Sequence, residues 1–251
     1  MAIPAEHGGW GLTLEPVLLG LLVEPSASGA LLGAAALVVL VARTPLKLAL
    51  VDRRRGRHLD RTRLATRIAA AELALVLALV LGAWLLSEAT FWGPLALAVP
   101  LVAVELWFDA RSRGRRLVPE LAGTVGIGSV AAAIVLAGGG DVATAAGVWL
   151  VVAARAVASV PFVRLQLARA KAQPHRRWAC DLAQALAVAL AIGGWAVGWL
   201  PPAAPIVVGL LAVVQVGLAR TRPPRAALLG AQQVVLGLTV VVTTALGILA
   251  P

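Results

Sequence analysis

Charged side chains are scarce in this sequence. Asp, Glu, Lys and Arg make up 14% of the 251 residues, while hydrophobic residues make up 60% and the mean hydropathy is +0.91. A soluble domain carries about 25% charged residues, and the core of a chain this long cannot absorb so much apolar surface. The scarcity of charge excludes an ordinary soluble protein and predicts an integral membrane protein, for which lipid is the solvent of much of the chain.

Cysteine and acidic residues are also few. Cys180 is the only cysteine, which excludes an intrachain disulfide and predicts a small, buried, apolar residue at that position. Lys and Arg number 22 against 12 for Asp and Glu, a formal net charge of +10. DNA-binding proteins carry such a surplus on a solvated face beside a normal core. Here the bases form short clusters between apolar runs, so no nucleic-acid partner is expected.

Long apolar runs account for most of the sequence. Because the runs are continuous rather than alternating, they predict transmembrane helices and not barrel strands. The predicted spans cover about 9–23, 29–51, 65–87, 91–107, 117–137, 142–163, 178–199, 203–219 and 226–249. We therefore expect an all-α, polytopic bundle of nine helices in a single transmembrane domain, residues 1–251.

Basic residues mark every second junction between these spans. They follow spans two, four, six and eight, whereas the alternate junctions "EPSAS", "SEAT", "GGGD" and "LPPAAP" contain none. This positive-inside pattern predicts a cell-membrane protein with a cytoplasmic N-terminus and an external C-terminus. Tryptophans are expected in interfacial belts, with Trp84, Trp92, Trp195 and Trp199 at the outer face and Trp10, Trp107 and Trp178 at the inner face.

The two halves of the chain share short patterns. "LEPVLLG" (14–20) in span one resembles "LVPELAG" (117–123) at the start of span five. Near the ends of spans two and six, Pro45 and Pro161 each precede a basic–Leu–x–Leu run that starts at Lys47 and Arg164. Matching spans four helices apart predict two four-helix repeats followed by a ninth helix.

Several ionisable side chains fall inside or beside the predicted spans. An unpaired cation near the bilayer centre costs about 2.5–3.5 kcal/mol, so these bases need acidic partners on neighbouring helices. Acids do occur at similar depth, and they predict one polar pocket that opens to the cytoplasm. Its candidate ligand-binding residues are Arg43, Lys47, Arg155, Arg164, Glu6, His7, Glu15, Glu72, Glu105 and Glu120.

Three interpretations of these charges stay open. They could be structural ion pairs that fix the registry of the helices, a binding site for an anionic head whose apolar tail lies between helices, or a proton relay through Glu and His. His58, Asp60 and His175 show no recognisable spacing of metal ligands. No metal is predicted, and no catalytic residue or cofactor is assigned.

The N-terminal segment resembles a known family. The entry "EHGGWGLTLEPVLLG" (6–20), followed by "ARTPL" (42–46), is similar to the YwiC-like family of bacterial membrane proteins. That family has an N-terminal Glu-His-Gly-x-Trp motif, which falls here on Glu6, His7, Gly8 and Trp10. The resemblance in sequence covers the first fifth of the chain. The remainder resembles the family only in the layout of its apolar spans.

The layout is in turn similar to the UbiA superfamily of intramembrane prenyltransferases. Those proteins have nine helices, and Asp-rich motifs after helices two and six hold Mg²⁺ and a prenyl diphosphate. This chain has only Asp52 and Asp60 after span two, and no acid between span six and Asp181. The resemblance implies a UbiA-like fold and an isoprenoid or other anionic lipid as ligand, held by Arg and Lys without the Mg²⁺ motifs.

Two function classes follow. The first is a lipid-binding protein, in one form a divergent prenyltransferase-like enzyme. The second is a transporter of small molecules or ions that uses the same charges. Broken helices at Pro45 and Pro161 would favour transport, whereas the lack of deep charges in the outer halves of the spans favours lipid binding.

Overall fold

The computed structural model describes residues 7–57, 59–114 and 116–250. Within these ranges the chain forms nine α-helices and no strand. They are α1 His7–Val23, α2 Ala27–Arg54, α3 Asp60–Leu86, α4 Trp92–Ala110, α5 Leu117–Ala137, α6 Val142–Ala170, α7 Arg177–Ala196, α8 Ala203–Leu218 and α9 Ala226–Leu249. The predicted all-helical, polytopic bundle is confirmed.

Seven of the described helices are long and apolar enough to cross a membrane, namely α2 to α7 and α9. Helices α1 and α8 are equally apolar but shorter, at 17 and 16 residues. About 20 residues cross the hydrocarbon of a typical bilayer. The chain is therefore a multi-pass membrane protein, and the crossing of α1 and α8 stays a prediction.

Several helices extend further than their apolar runs predicted: α3 begins at Asp60 instead of 65, and α4 ends at Ala110 instead of 107. Helix α2 ends at Arg54 instead of 51, and α6 ends at Ala170 instead of 163. The last turns of α6 are polar, but their side chains bond to the end of α8: Gln166 donates to the carbonyl of Leu218 at 3.0 Å, and Arg169 to that of Ala219 at 2.7 Å. The helix continues because its polar residues find partners beyond the apolar run.

The packed core lies around α5 and α6. Most of their residues are buried, whereas α3 and α4 expose most of theirs, including many leucines and valines. Small residues allow the central helices to approach closely: a Cβ on Gly20 of α1 would lie 2.9 Å from the Cβ of Ile134 on α5. The outer helices thus present apolar faces where lipid is expected. Cys180 is buried, as predicted.

The contacts of α2 and α6 follow the predicted repeat, whereas those of α4 and α8 do not, since α4 packs against α5 and its counterpart α8 packs against α7 and α9. Helix α2 packs against α1, α3, α4 and α5, and its counterpart α6 packs against α5, α7, α8 and α1. These are the pairs that an exchange of the two four-helix units would generate. Helix α9 departs from the pattern because it packs against α1, α6 and α8.

The connections meet in two sets. Among the basic ones, Arg55 donates to the hydroxyl of Ser112 at 3.3 Å, and Arg169 donates to the carbonyl of Thr221 at 2.6 Å. Among the connections that contain no Lys or Arg, the backbone amide of Glu88 donates to the carbonyl of Ala137 at 3.1 Å. These contacts join like connections in pairs, an arrangement consistent with the positive-inside pattern, and the side of the membrane on which each pair lies stays a prediction.

Most of the predicted belt tryptophans are exposed near helix ends, and Trp10 is half-buried. The exposed ones are Trp84, Trp92, Trp107, Trp178, Trp195 and Trp199. Their assignment to the inner or outer face stays a prediction.

Candidate functional site

A cluster of four charges joins α2 to α4. Arg43 Nη2 lies 2.7 Å from Glu105 Oε1, and Arg43 Nε donates to Asp109 Oδ2 at 3.1 Å. Lys47 Nζ lies 2.9 Å from Asp109 Oδ1. Because Arg43 and Lys47 are four residues apart on α2, one face of that helix presents both cations to the two acids. The two cations inside the apolar helix are thus neutralised by α4.

Exposure within this cluster is unequal. The Asp109 side chain is 1% exposed, whereas Arg43 and Lys47 keep 39% and 40% of their side-chain surface. Glu105 is mostly buried against α5, where a Cβ on Gly123 would overlap its carboxylate. The acids are therefore held inside the protein while the cations retain surface for a further contact.

A second charge pair lies deeper, at the middle of α1 and α6. Arg155 Nη2 is 3.3 Å from Glu15 Oε1, and the Arg155 side chain is only 2% exposed. The carboxylate of Glu15 occupies the space that a Cβ on Gly237 of α9 would need. Arg155 also donates to the carbonyl of Gln233 at 2.7 Å and to its Oε1 at 3.3 Å. This pair binds α1, α6 and α9 together and leaves no open surface on the guanidinium.

A chain of buried amides extends from Arg155 across three further helices. Gln233 Oε1 also accepts from Gln215 Nε2 on α8 at 3.2 Å, and Gln215 Oε1 accepts from Gln184 Nε2 on α7 at 2.9 Å. Gln184 Nε2 donates in addition to the carbonyl of Ala158 at 2.8 Å. A carbonyl can only accept and a guanidinium can only donate, so both ends of the chain fix the orientation of every amide.

A third pair joins α5 and α6 near the basic connections. Arg164 Nη1 donates to Glu120 Oε2 at 2.8 Å, and the Arg164 side chain is 39% exposed. Glu120 lies one helical turn before Gly123, the glycine that accommodates Glu105. The first turn of α5 is therefore flanked by the α2–α4 cluster on one side and by this pair on the other.

The remaining predicted site residues fall as follows. Glu72 lies on α3, and its Oε2 has no hydrogen-bond partner among the described residues. Glu6 lies outside the described residues, and His7 begins α1. The charges that sequence placed in one pocket thus form three separate groups in the described structure. A hydrated pocket that joins them stays a prediction.

Several polar residues of these groups are not among the predicted site residues. Asp109 is one of them, although it follows Glu105 by one turn of α4, a spacing that places both on one face. The signal for Gln184, Gln215 and Gln233 was weaker, since each is a single uncharged polar residue in an apolar helix. Such residues form hydrogen bonds between helices in membranes. The presence of three of them at similar depth is the sequence feature that favours such bonds.

One of three comparisons with known proteins finds a match. A family model described as YwiC-like protein matches residues 3–136, more than half of the chain. The matched segment holds the α2–α4 cluster, Glu15 and Glu120, and it ends before α6. No curated protein matches the chain, and no solved structure matches it.

Proposed function

The chain belongs to the YwiC-like family, and from that premise we propose that this membrane protein binds an isoprenoid or another anionic lipid at Arg43, Lys47 and Arg164. One observation carries the proposal. These three cations lie in apolar helices and are held by acids, yet each keeps about two-fifths of its side-chain surface. Arg155 is only 2% exposed, and this proposal assigns it a structural role in the same bundle.

The chemistry of the three cations suits an anionic head. Arg guanidinium forks bind phosphate and carboxylate through two parallel hydrogen bonds, and Lys adds a point charge. The acids that hold them leave part of each cation exposed, so the cations are already positioned when a ligand arrives. An apolar tail would then lie against the exposed aliphatic faces of α3 and α4. Glu15 and Arg155 act in this proposal as a structural pair beneath the site.

Direct binding by Arg and Lys is proposed in place of a metal bridge. Among the residues that the structure describes, no group of three or more His, Cys, Asp or Glu side chains could hold a metal ion. We therefore expect that EDTA leaves lipid binding unchanged. A transferase reaction on the bound lipid would be a finer form of the same proposal, and it would be seen as turnover of a supplied prenyl diphosphate.

The test is lipid retention by the purified protein. Native mass spectrometry in mild detergent should show an anionic lipid on the wild-type protein and markedly less on Arg43→Gln. The matched control is Arg61→Gln, which removes an arginine paired with Asp52 at 3.2 Å at the same end of the bundle. Equal lipid retention in all three proteins would overturn the proposal. Total lipid extract should likewise raise the melting temperature of the wild type more than that of Arg43→Gln.

Transport is the alternative function. Its sequence support came from Pro45 and Pro161, but α2 and α6 run through these prolines as continuous helices. What favours it is the buried amide chain, which is a polar feature that lipid binding does not require. Uptake of a labelled ion or solute into proteoliposomes by the wild-type protein, kept at the same rate in Arg43→Gln, would support transport over lipid binding.

The proposed orientation places the basic connections in the cytoplasm. Alkaline phosphatase is active only outside the cytoplasm, so a fusion after Gly140 should be active and a fusion after Arg177 inactive. The reverse result would place the cation site at the outer face and refute the proposed orientation.

A further inference from the structure

Four arginines line a cleft where the α2–α3 and α4–α5 connections meet. Arg54 and Arg55 come from the end of α2, and Arg111 and Arg113 from the residues after α4. Ala110 and Ser112 complete the lining, and the volume is about 320 Å³. None of these arginines belongs to the three charge groups described above.

Two of the four guanidinium groups are held in place. Arg55 Nη2 donates to the hydroxyl of Ser112 at 3.3 Å, which ties the two connections together. The Arg111 guanidinium stacks over the ring of Trp107, 3.2 Å from its centroid, and donates to the carbonyl of Trp107 at 3.4 Å. Arginines restrained in this way lose less conformational entropy when they bind a ligand.

The positive charge of the cleft is not neutralised by its surroundings. No carboxylate is among its lining residues. The acids Asp109 and Asp52 form ion pairs with cations that do not line the cleft, namely Arg43, Lys47 and Arg61. The C-terminal ends of α2 and α4 each supply about half a negative charge, so together they offset about one of the four positive charges. Burial, and then repulsion from Arg54 and Arg113, holds the pKa of Arg111 below its ordinary value. An anion in the cleft would relieve this repulsion.

The position of Trp107 shows which anion can reach the cleft. Its ring is largely exposed on α4, on the side where Val104 and Leu97 also face outward. Exposed tryptophans at the ends of transmembrane helices sit at the level of the lipid headgroups. Because Arg111 stacks on that ring, the cleft opens at headgroup depth.

We propose that this arginine cleft binds the phosphate of an anionic phospholipid headgroup from the adjacent leaflet. Guanidinium forks match the phosphate oxygens, and basic residues beside a transmembrane helix attract anionic lipids. The site uses none of the side chains of the proposed function. Either proposal can therefore fail while the other stands.

The experiment measures binding of phosphatidylglycerol to the purified full-length chain in neutral detergent, by native mass spectrometry over a lipid titration. The Arg111→Gln/Arg113→Gln variant should bind phosphatidylglycerol about thirtyfold more weakly than the wild type. The matched control is Arg222→Gln/Arg225→Gln, which removes the same charge from exposed positions of another basic connection. The control should bind within about twofold of the wild type.

Further arms separate the possible sources of the phosphate. Phosphatidylcholine carries the same phosphate on a neutral headgroup and should bind weakly to all three proteins. Inorganic phosphate at millimolar concentration should not displace phosphatidylglycerol, and displacement would show that the cleft recognises free phosphate and would overturn its preference for a lipid headgroup. Equal weakening in the cleft variant and the control would reduce the effect to net charge and overturn the site.

A single substitution controls for a loss of binding that is caused by misfolding. The side chain of Arg113 makes no hydrogen bond or ion pair with the described residues, so Arg113→Gln should keep the wild-type helical content and melting temperature. It should weaken phosphatidylglycerol binding about fivefold. Unchanged binding in this folded variant would refute the proposal by itself.

Discussion

Replacement of Arg155 by Gln tests whether the central ion pair is a dry structural link. The substitution removes the contact with Glu15 at 3.3 Å and the two hydrogen bonds to Gln233 at 2.7 and 3.3 Å. Glu15 is itself buried, so its carboxylate would be left without a cation in the middle of the bundle.

The expected cost follows from this burial. Removing one partner of a buried ion pair destabilises a protein by about 3–5 kcal/mol. For a chain of this length 1 kcal/mol corresponds to roughly 2–4 °C, so the melting temperature should fall by about 6–20 °C. The reference is Arg220→Gln, since Arg220 and Asp181 form an exposed pair at 3.4 Å. Exposed pairs contribute about 0.2–1 kcal/mol.

The assay is thermal unfolding in one detergent, followed by circular dichroism, for a double-mutant cycle. Glu15→Gln and Arg155→Gln are measured singly and together. The double variant should lose less stability than the sum of the single variants, because it leaves no charge stranded. Additive losses, or a loss from Arg155→Gln no larger than that from Arg220→Gln, would show that the pair lies in water and is not a structural link.

Three further perturbations have matched controls. A Cβ at position 237 would overlap the buried carboxylate of α1, so Gly237→Ala should lower the melting temperature, whereas Gly230→Ala on the same helix meets open space and should leave it equal or higher. A destabilising Gly230→Ala would contradict this difference. Gln233→Leu removes the side-chain acceptor of Arg155 Nη1 and of Gln215 Nε2 and should cost about 1–3 kcal/mol, while Gln232→Leu, whose Oε1 has no partner among the described residues, should cost less in the same unfolding assay. Hydrogen bonds from the first turn of α6 lower the pKa of the Asp141 carboxyl, so this N-cap adds stability above the ordinary pKa of about 4 and loses it as pH falls through the lowered value. Between pH 7 and pH 3 the melting temperature of the wild type should therefore fall more than that of Asp141→Asn, and equal falls would remove Asp141 from the pH dependence.

Much of the fold could be predicted because its signals are local. Helix number and type depend on apolar runs of about 20 residues, and the grouping of basic connections depends on their charge. The boundaries at Arg54 and Ala170 could not be predicted in this way. They depend on polar contacts with other elements: Gln166 donates to the carbonyl of Leu218 near the end of α6, and Arg61 and Thr62 donate to the carboxylate of Asp52 near the end of α2.

The candidate site was predictable in its residue types and not in its pairing. Sequence placed acids and bases at similar depth, and most of the predicted acids do contact predicted bases. Arg43 and Arg155 lie on the second and sixth spans, the two helices that the predicted repeat makes equivalent. In the structure Arg43 faces two acids on α4, whereas Arg155 faces Glu15 on α1 and an amide on α9.

Local features of the chain are enough to identify a multi-pass helical membrane protein of the YwiC-like family with basic connections at alternate junctions. Apolar runs, charge clusters and the family motif are local features of the sequence, and they can be recognised without knowledge of any long-range contact. Which cation meets which acid depends on how the helices pack against one another. Glu15 and Arg155 are 140 residues apart in the chain, and they meet because Gly237 leaves room for the carboxylate. The same packing leaves Arg43 and Lys47 half-exposed and Arg155 enclosed, and lateral packing of this kind has no local signal in the sequence.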